Sequence, residues 1–208
     1  MLLAVANTKG GEGKSPWARE VAGFLGAELL DLNPENGDAY AWAQVAGHPA
    51  RLVYEPEVGA VLQEAASSKG IYVADCPPWD GLETRTALAH AIAVLVPVAT
   101  SYQSLRGLGR MQDLLAEARE RANPGLRAGV VGTGRRPGVS FNDGWEQALA
   151  KSHHPKSGTH FLGVMPQRQA FLDSFGAGGL THKGAEPAAS EVRAILDIFV
   201  SLIKTKKQ

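Results

Sequence analysis

The stretch Leu2-Leu3-Ala4-Val5-Ala6-Asn7-Thr8-Lys9-Gly10-Gly11-Glu12-Gly13-Lys14-Ser15 decides the fold of this chain. Leu2 to Ala6 is a short apolar run that reads as a buried strand. The residues after Ser15 follow the apolar spacing of a helix. Between them, three glycines, two lysines and a serine sit at a strand-to-helix turn. Glycines let backbone N–H groups turn toward an anion, and the start of a helix adds partial positive charge. The turn therefore reads as a phosphate cradle, with Gly10, Gly11, Glu12, Gly13, Lys14, Ser15 and Pro16 around the ligand. Lys14 is placed to reach the β- and γ-phosphates of ATP, and the Ser15 hydroxyl to bind Mg²⁺.

Outward from this loop, apolar runs recur at 2–6, 27–32, 71–75, 91–98, 128–132 and 161–165. Helical patterns lie near 15–25, 38–46, 57–67, 82–90, 103–122, 143–151 and 168–175, with a last helix at about 188–204. Continuous apolar strands alternating with amphipathic helices imply an α/β fold: a doubly wound, mostly parallel sheet with helices on both faces. Ligands of such sheets bind beyond the carboxyl ends of the strands, where residues 9–15 lie. The stretches 132–140, 152–160 and 176–186 read as surface loops. With no repeat and no long linker, residues 1–208 read as one domain.

Formal net charge is zero, so no global field draws the chain to nucleic acid. The halves differ: residues 1–123 hold 10 Lys/Arg against 15 Asp/Glu, and residues 124–208 hold 11 against 6. The second half could carry a local basic face. Cys76 is the only cysteine, which excludes an internal disulfide and a multi-cysteine metal site. His153, His154 and His160 read as loop residues, not ligands. No signal peptide and no apolar run near 18 residues is present, so the expected location is the cytoplasm. The last helix places Val192, Ile195, Leu196, Phe199, Leu202 and Ile203 on one face, which is expected to pack on the core and not on a membrane.

Two further motifs accompany the loop. Ile71-Tyr72-Val73-Ala74-Asp75-Cys76-Pro77-Pro78 ends a strand with a carboxylate beside the cradle. Such a carboxylate suits Mg²⁺, which is held through few protein ligands and several waters. Leu29-Leu30-Asp31-Leu32-Asn33-Pro34-Glu35-Asn36-Gly37-Asp38 ends the neighbouring run in the same way.

The ordinary P-loop carries a glycine five residues before Gly13, where this chain has Thr8. The form Lys-Gly-Gly-x-Gly-Lys-Ser, with its extra Lys9, resembles the deviant Walker A motif of the ParA/MinD ATPases. The resemblance extends over the chain. Asp75-Cys76-Pro77-Pro78 is similar to the family's Walker B region, and Ile92 to Leu108 to the strand and helix after it. Arg168-x-Ala-Phe and Glu191-Val-x-x-Ile-Leu resemble its last third. The start at residue 2 implies no N-terminal DNA-reading extension, and the single cysteine argues against the nitrogenase iron-protein branch.

The resemblance implies a small ParA-type partition ATPase. It implies a homodimer in the ATP state, in which Lys9 crosses to the partner's phosphates. It implies Asp31 and Asp75 as supports of Mg²⁺ and its waters, and Asn33 beside the attacking water. It also implies nonspecific DNA binding at the nucleoid and release by a centromere-bound ParB-type partner protein. Candidate DNA contacts are Arg135, Arg136, Lys151, Lys156, Arg168 and Lys183.

Three departures matter. Asn33 replaces the family's second switch I aspartate, and an amide orients water but accepts no proton. Slow hydrolysis is therefore expected, by on the order of 10²-fold or more. Glu12 stands where the family has a small or apolar residue, and its side chain is expected to point to solvent or to the dimer partner. Pro16 removes one N–H from the first turn of the helix. The alternatives are an ATP-gated DNA-binding switch that hydrolyses weakly or not at all, a MinD-like membrane ATPase and a dethiobiotin-synthetase-like ligase. Lys9 argues against the last.

Overall fold

The computed structural model describes residues 1–136, 141–152, 156–177, 180 and 184–204, with the backbone alone for 141, 142, 172 and 175–177. Seven strands form one sheet: β1 (Leu2–Val5), β2 (Glu28–Asp31), β3 (Ala50–Leu52), β4 (Tyr72–Asp75), β5 (Ala93–Ala99), β6 (Arg127–Arg135) and β7 (Thr159–Pro166). The order is β3-β2-β4-β1-β5-β6-β7, and each neighbouring pair is parallel. The helices are α1 (Lys14–Leu25), α2 (Asp38–Ala46), α3 (Val58–Ser67), α4 (Leu82–His90), α5 (Tyr102–Arg121), α6 (Phe141–Ala150), α7 (Gln169–Ala177) and α8 (Glu186–Lys204). The doubly wound α/β expectation is met.

Strand order and crossover handedness together decide which face each helix covers. From β1 the chain steps outward to β2 and β3 through α1 and α2. It then returns past β2 to β4 and moves the other way through β5, β6 and β7, using α3 to α6. Right-handed crossovers in opposite directions place their helices on opposite faces. The packing agrees. Leu2, Ala4 and Ala6 meet residues of α3, α4, α5 and α6. Leu3 and Val5 meet Trp17, Val21 and Trp42 of α1 and α2, and Ile195 and Phe199 of α8 lie in the same cluster. Strand side chains alternate faces, so a central strand buried on both sides must be apolar throughout. β1 is central, and its four residues are fully buried. The winding reverses around β1, which opens a crevice at its carboxyl end.

Three expectations are corrected. β3 is an additional edge strand, and its half-exposed Ala-Arg-Leu sequence carries no apolar run. β6 continues through Gly132–Arg135, where a loop was expected, and β7 begins at Thr159 inside another expected loop. The glycines that suggested a loop in β6 serve close packing. A Cβ at Gly132 would stand 2.5 Å from the Trp145 ring and 3.0 Å from Val164. Residues 137–140 and most of 176–186 lie outside the described residues or their side chains.

The apolar stripe of α8 packs on the core as expected. Val192, Ile195, Leu196 and Phe199 are buried, and Leu202 and Ile203 pack against them. Each such side chain is worth roughly 1.5–3 kcal/mol when fully buried. Among the described residues no helix is long and apolar enough to cross a membrane.

Candidate functional site

The glycine-rich loop leaves β1 and is pinned at once to the neighbouring strand. The Asn7 side chain donates to the Pro97 carbonyl of β5 at 2.7 Å and accepts from the Lys9 N–H at 3.1 Å. Gly11 and Gly13 have φ of 75° and 90°. Any side chain there would strain the backbone, so the loop needs glycine at both positions. α1 starts at Lys14 with no acidic residue in its first turn, leaving its N-terminal partial charge directed at the loop. Lys14 is 7% exposed, and its Nζ donates across the loop to the Lys9 carbonyl at 3.0 Å. Burial lowers its pKa, while Asp75, Cys76 and Glu12 act in the opposite direction.

Asp31 and Asp75 close the other side of the crevice. They are the last residues of β2 and β4 and stand in direct register. Asp75 is 3% exposed, its carboxylate is hydrogen-bonded by the Ser15 side chain, and its Oδ1 has no partner among the described residues. Burial pushes the carboxyl up to about 7; the Ser15 bond, Lys14 and Arg19 oppose this and the Asp31 charge adds to it. Asp31 is committed differently. Its Oδ1 accepts the Asn33 N–H and its Oδ2 the Tyr40 N–H, each at 3.0 Å. Burial also raises its pKa, against those backbone bonds.

An orphaned buried carboxylate oxygen, a second carboxylate and a hydroxyl form a hard-oxygen donor set that fits Mg²⁺. Asp75 and Ser15 would hold the ion, and Asp31 would act from behind its backbone bonds. Among the described residues no group of three His, Cys, Asp or Glu side chains converges as a separate metal site. The Asn33 Oδ1 is likewise buried without a partner, on the turn that Asp31 fixes.

Glu12 overturns its expectation. It points neither to solvent nor outward toward another copy. It is 1% exposed and turns inward to its own chain. Its Oε2 accepts the Ala99 N–H at 2.6 Å, and its Oε1 accepts the Ser104 hydroxyl at 2.8 Å and the Lys9 ammonium at 2.7 Å. The Lys9 Nζ also donates to the Ser104 Oγ at 2.8 Å. An unpartnered buried carboxylate is costly, and the end of β5 with the first turn of α5 supplies the partners. Nothing in the spacing of the P-loop signals this network, because Ala99 and Ser104 are far away in sequence. Only the serines of the Ile92–Leu108 segment hinted at it.

A cleft of about 550 Å³ opens beside the loop, lined in part by Gly13, Pro16, Trp17, Glu20, Thr133 and Phe171. Glu20 and Thr133 were not anticipated. Burial pushes the Glu20 carboxyl up to about 7 against the neighbouring Arg19. Two of the basic candidates, Arg136 and Arg168, line the same cleft. Arg136 donates to Gln167 at 2.8 Å, and Arg168 grips Glu191 with two N–H groups. Arg135 lies 3.4 Å from Glu146 and 3.8 Å from Asp143. Lys151 and Lys156 are exposed, and Lys183 lies outside the described residues. The six therefore do not form one face. Of the histidines, His160 is an exposed residue of β7, and His153 and His154 lie outside the described residues.

No protein-family model matches the chain. Over 97% of its length it is 28% identical to the chromosome-partitioning ATPase Soj of Thermus thermophilus, covering 96% of that protein. It is 25% identical to the chromosome partitioning protein ParA of Myxococcus xanthus, over 61% of this chain and 62% of that one. Among solved structures it superposes on an ATP complex of Cyanothece McdA(D38A) with a TM-score of 0.76, at 14% identity, over 100% of this chain and 98% of that one. With the loop, the two strand-end aspartates and the parallel order all in place, the chain is a relative of the ParA-type partition ATPases of the ParA/MinD family.

Proposed function

We propose that this chain is an ATPase that binds ATP and Mg²⁺ at Gly10–Ser15, pairs with a second copy in that state and holds DNA without sequence preference. The observation that carries this reading is the convergence of Lys14, Ser15 and the orphaned Asp75 oxygen on one glycine-rich turn. Lys14 would meet phosphate charge, and the α1 N-terminus adds its dipole. Ser15 and Asp75 would hold Mg²⁺, which when bound neutralises charge on the transferring phosphoryl group. Asn33 would orient water through its amide oxygen.

The DNA contacts fall to Lys151 and Lys156, since Arg135 and Arg168 face carboxylates of their own chain. Two copies double a modest basic patch, so pairing supplies the avidity that one neutral chain lacks. Release follows hydrolysis and would be stimulated by a centromere-bound ParB-type protein. The location in this reading is the nucleoid in the cytoplasm.

A second reading is favoured by Asn33: an ATP-gated DNA-binding switch with very slow turnover. Phosphate release from ATP and Mg²⁺, with and without nonspecific DNA, separates the two, with Lys14→Ala as background. Turnover above background that rises with DNA supports the partition ATPase. ATP binding with no turnover supports the switch. ATP-dependent flotation with lipid vesicles would instead support a membrane ATPase.

A further inference from the structure

The Lys9 side chain has two destinations, and the structure specifies one of them. It runs along the start of α5, where a Cβ at Gly107 would lie 3.5 Å from its Cδ. Its ammonium ends between Glu12 and Ser104 of the same chain, at 2.7 and 2.8 Å. The acceptor is not a casual surface partner. The Glu12 side chain is fully buried, and its second oxygen is fixed by the Ala99 backbone. Ser104 is in turn held by the α5 cap, its N–H donating to the Ser101 Oγ at 3.0 Å. Lys9 itself is 35% exposed, so the pair sits at the rim with its anion inside.

We propose that Glu12 is the resident counter-ion of Lys9, a latch that keeps this lysine in its own chain until two copies pair around nucleotide. This rests on the pairing reading above. Glu12 is a positioning residue and touches no nucleotide in this account. A lysine bound in cis is withheld from a partner's phosphates, and each pairing event must first break the Lys9–Glu12 contact. Affinity for the partner is then reduced by the fraction of chains with Lys9 released. Once released, the buried carboxylate keeps Ala99 and Ser104 as partners, so opening does not leave it bare. The loop thus carries a lysine and its restraint three residues apart.

The test uses Glu12→Gln, which preserves shape and acceptor while removing the charge that holds Lys9. Ser104→Ala is the second variant and removes only the other hydrogen bond. The first readout is acylation of lysines in the full chain without nucleotide, followed by mass spectrometry, with exposed Lys69 as internal reference. Lys9 is expected to label about tenfold faster in Glu12→Gln and about threefold faster in Ser104→Ala, corresponding to about 1.4 and 0.7 kcal/mol. The second readout is sedimentation with ATP and Mg²⁺. Glu12→Gln is expected to pair at about tenfold lower protein concentration. Equal labelling of Lys9 in wild type and both variants overturns the latch, whatever pairing does. Faster labelling with unchanged or weaker pairing overturns its regulatory role. Faster labelling with ATP bound and no pairing in any chain overturns the pairing reading itself, and with it the link between release and partner.

Discussion

Asp31 and Asp75 stand side by side as the terminal residues of adjacent parallel strands, and the structure treats the two carboxylates differently. Both Asp31 oxygens accept backbone N–H groups of the following turn and helix. Asp75 keeps one oxygen without a partner and rests the carboxylate on Ser15. Two buried carboxylates so close cannot both ionise cheaply. One organises the polypeptide, and the other is left for a cation. The consequences are measurable without knowing the partner or the cargo.

The first concerns stability against pH. The Asp75 carboxyl in the folded chain is pushed up to about 7 by burial, far above its value in an unfolded chain, about 3.9. Between these values the folded state holds a proton that the unfolded state has released. Stability without metal is therefore full below about pH 4, falls as pH rises toward 7, and levels off above it. The loss is on the order of a few kcal/mol. Asp75→Asn should flatten this slope and raise the melting temperature at pH 8, while abolishing Mg²⁺-dependent stabilisation by ATP. Glu20, also pushed up to about 7, adds to the slope in the same direction, so the variant retains a smaller one. Thermal melts across pH 4–8, with and without Mg²⁺, read each part. A wild-type curve that rises through this window would contradict the assignment.

Asn33 carries the second prediction. Its amide oxygen is buried without a partner, on a turn fixed by Asp31. Asn33→Asp restores a carboxylate able to take a proton from water. Phosphate release should rise by about 10–100-fold, toward the lower range for general-base contributions. ATP affinity should change little, because the ground state gains no phosphate contact. Unchanged turnover, with ATP still bound, would remove Asn33 from the water-positioning role.

Most of this architecture is legible in the sequence because a parallel sheet buried on both faces writes itself as apolar runs. Leu2–Ala6 and Ile92–Val98 are such runs, and both became central strands. Ala50-Arg51-Leu52 is an edge strand, and three half-exposed residues have no pattern to read. Gly132 looks like a loop residue until Trp145 is seen to need its space. The P-loop, Asp31 and Asp75 were legible because their chemistry is local to each strand end. The fate of Glu12 was not. Its partners are an N–H and a hydroxyl that only the β1–β5 pairing brings to the loop.

Gly132 supplies the third prediction. In Gly132→Ala the new methyl group would press on Trp145, with Leu149 at 3.1 Å behind it. Trp145 is among the largest fully buried side chains and has little room to move. Overpacking of this kind costs about 1–3 kcal/mol. Urea unfolding should show a lower midpoint with an unchanged slope. Retention of the wild-type midpoint would mean that the α6 packing on β6 is looser than described.

The last prediction separates the basic residues by what already holds them. Lys151 and Lys156 are exposed, whereas Arg135 lies near Glu146 and Arg168 grips Glu191. A cation already facing a carboxylate has less charge to offer a phosphate. Lys151→Glu with Lys156→Glu should weaken ATP-dependent DNA binding about tenfold or more at moderate salt. The slope of log affinity against log salt should fall by roughly two, one for each lost phosphate contact. Arg168→Ala should leave that slope nearly unchanged and instead lower stability, because it strips Glu191 of its partner. DNA binding measured from 50 to 200 mM salt, beside thermal melts, tells the two classes apart. If Arg168→Ala removes salt dependence and the lysine variant does not, the DNA face lies beside the nucleotide cleft, and the Arg168–Glu191 pair is what DNA must open.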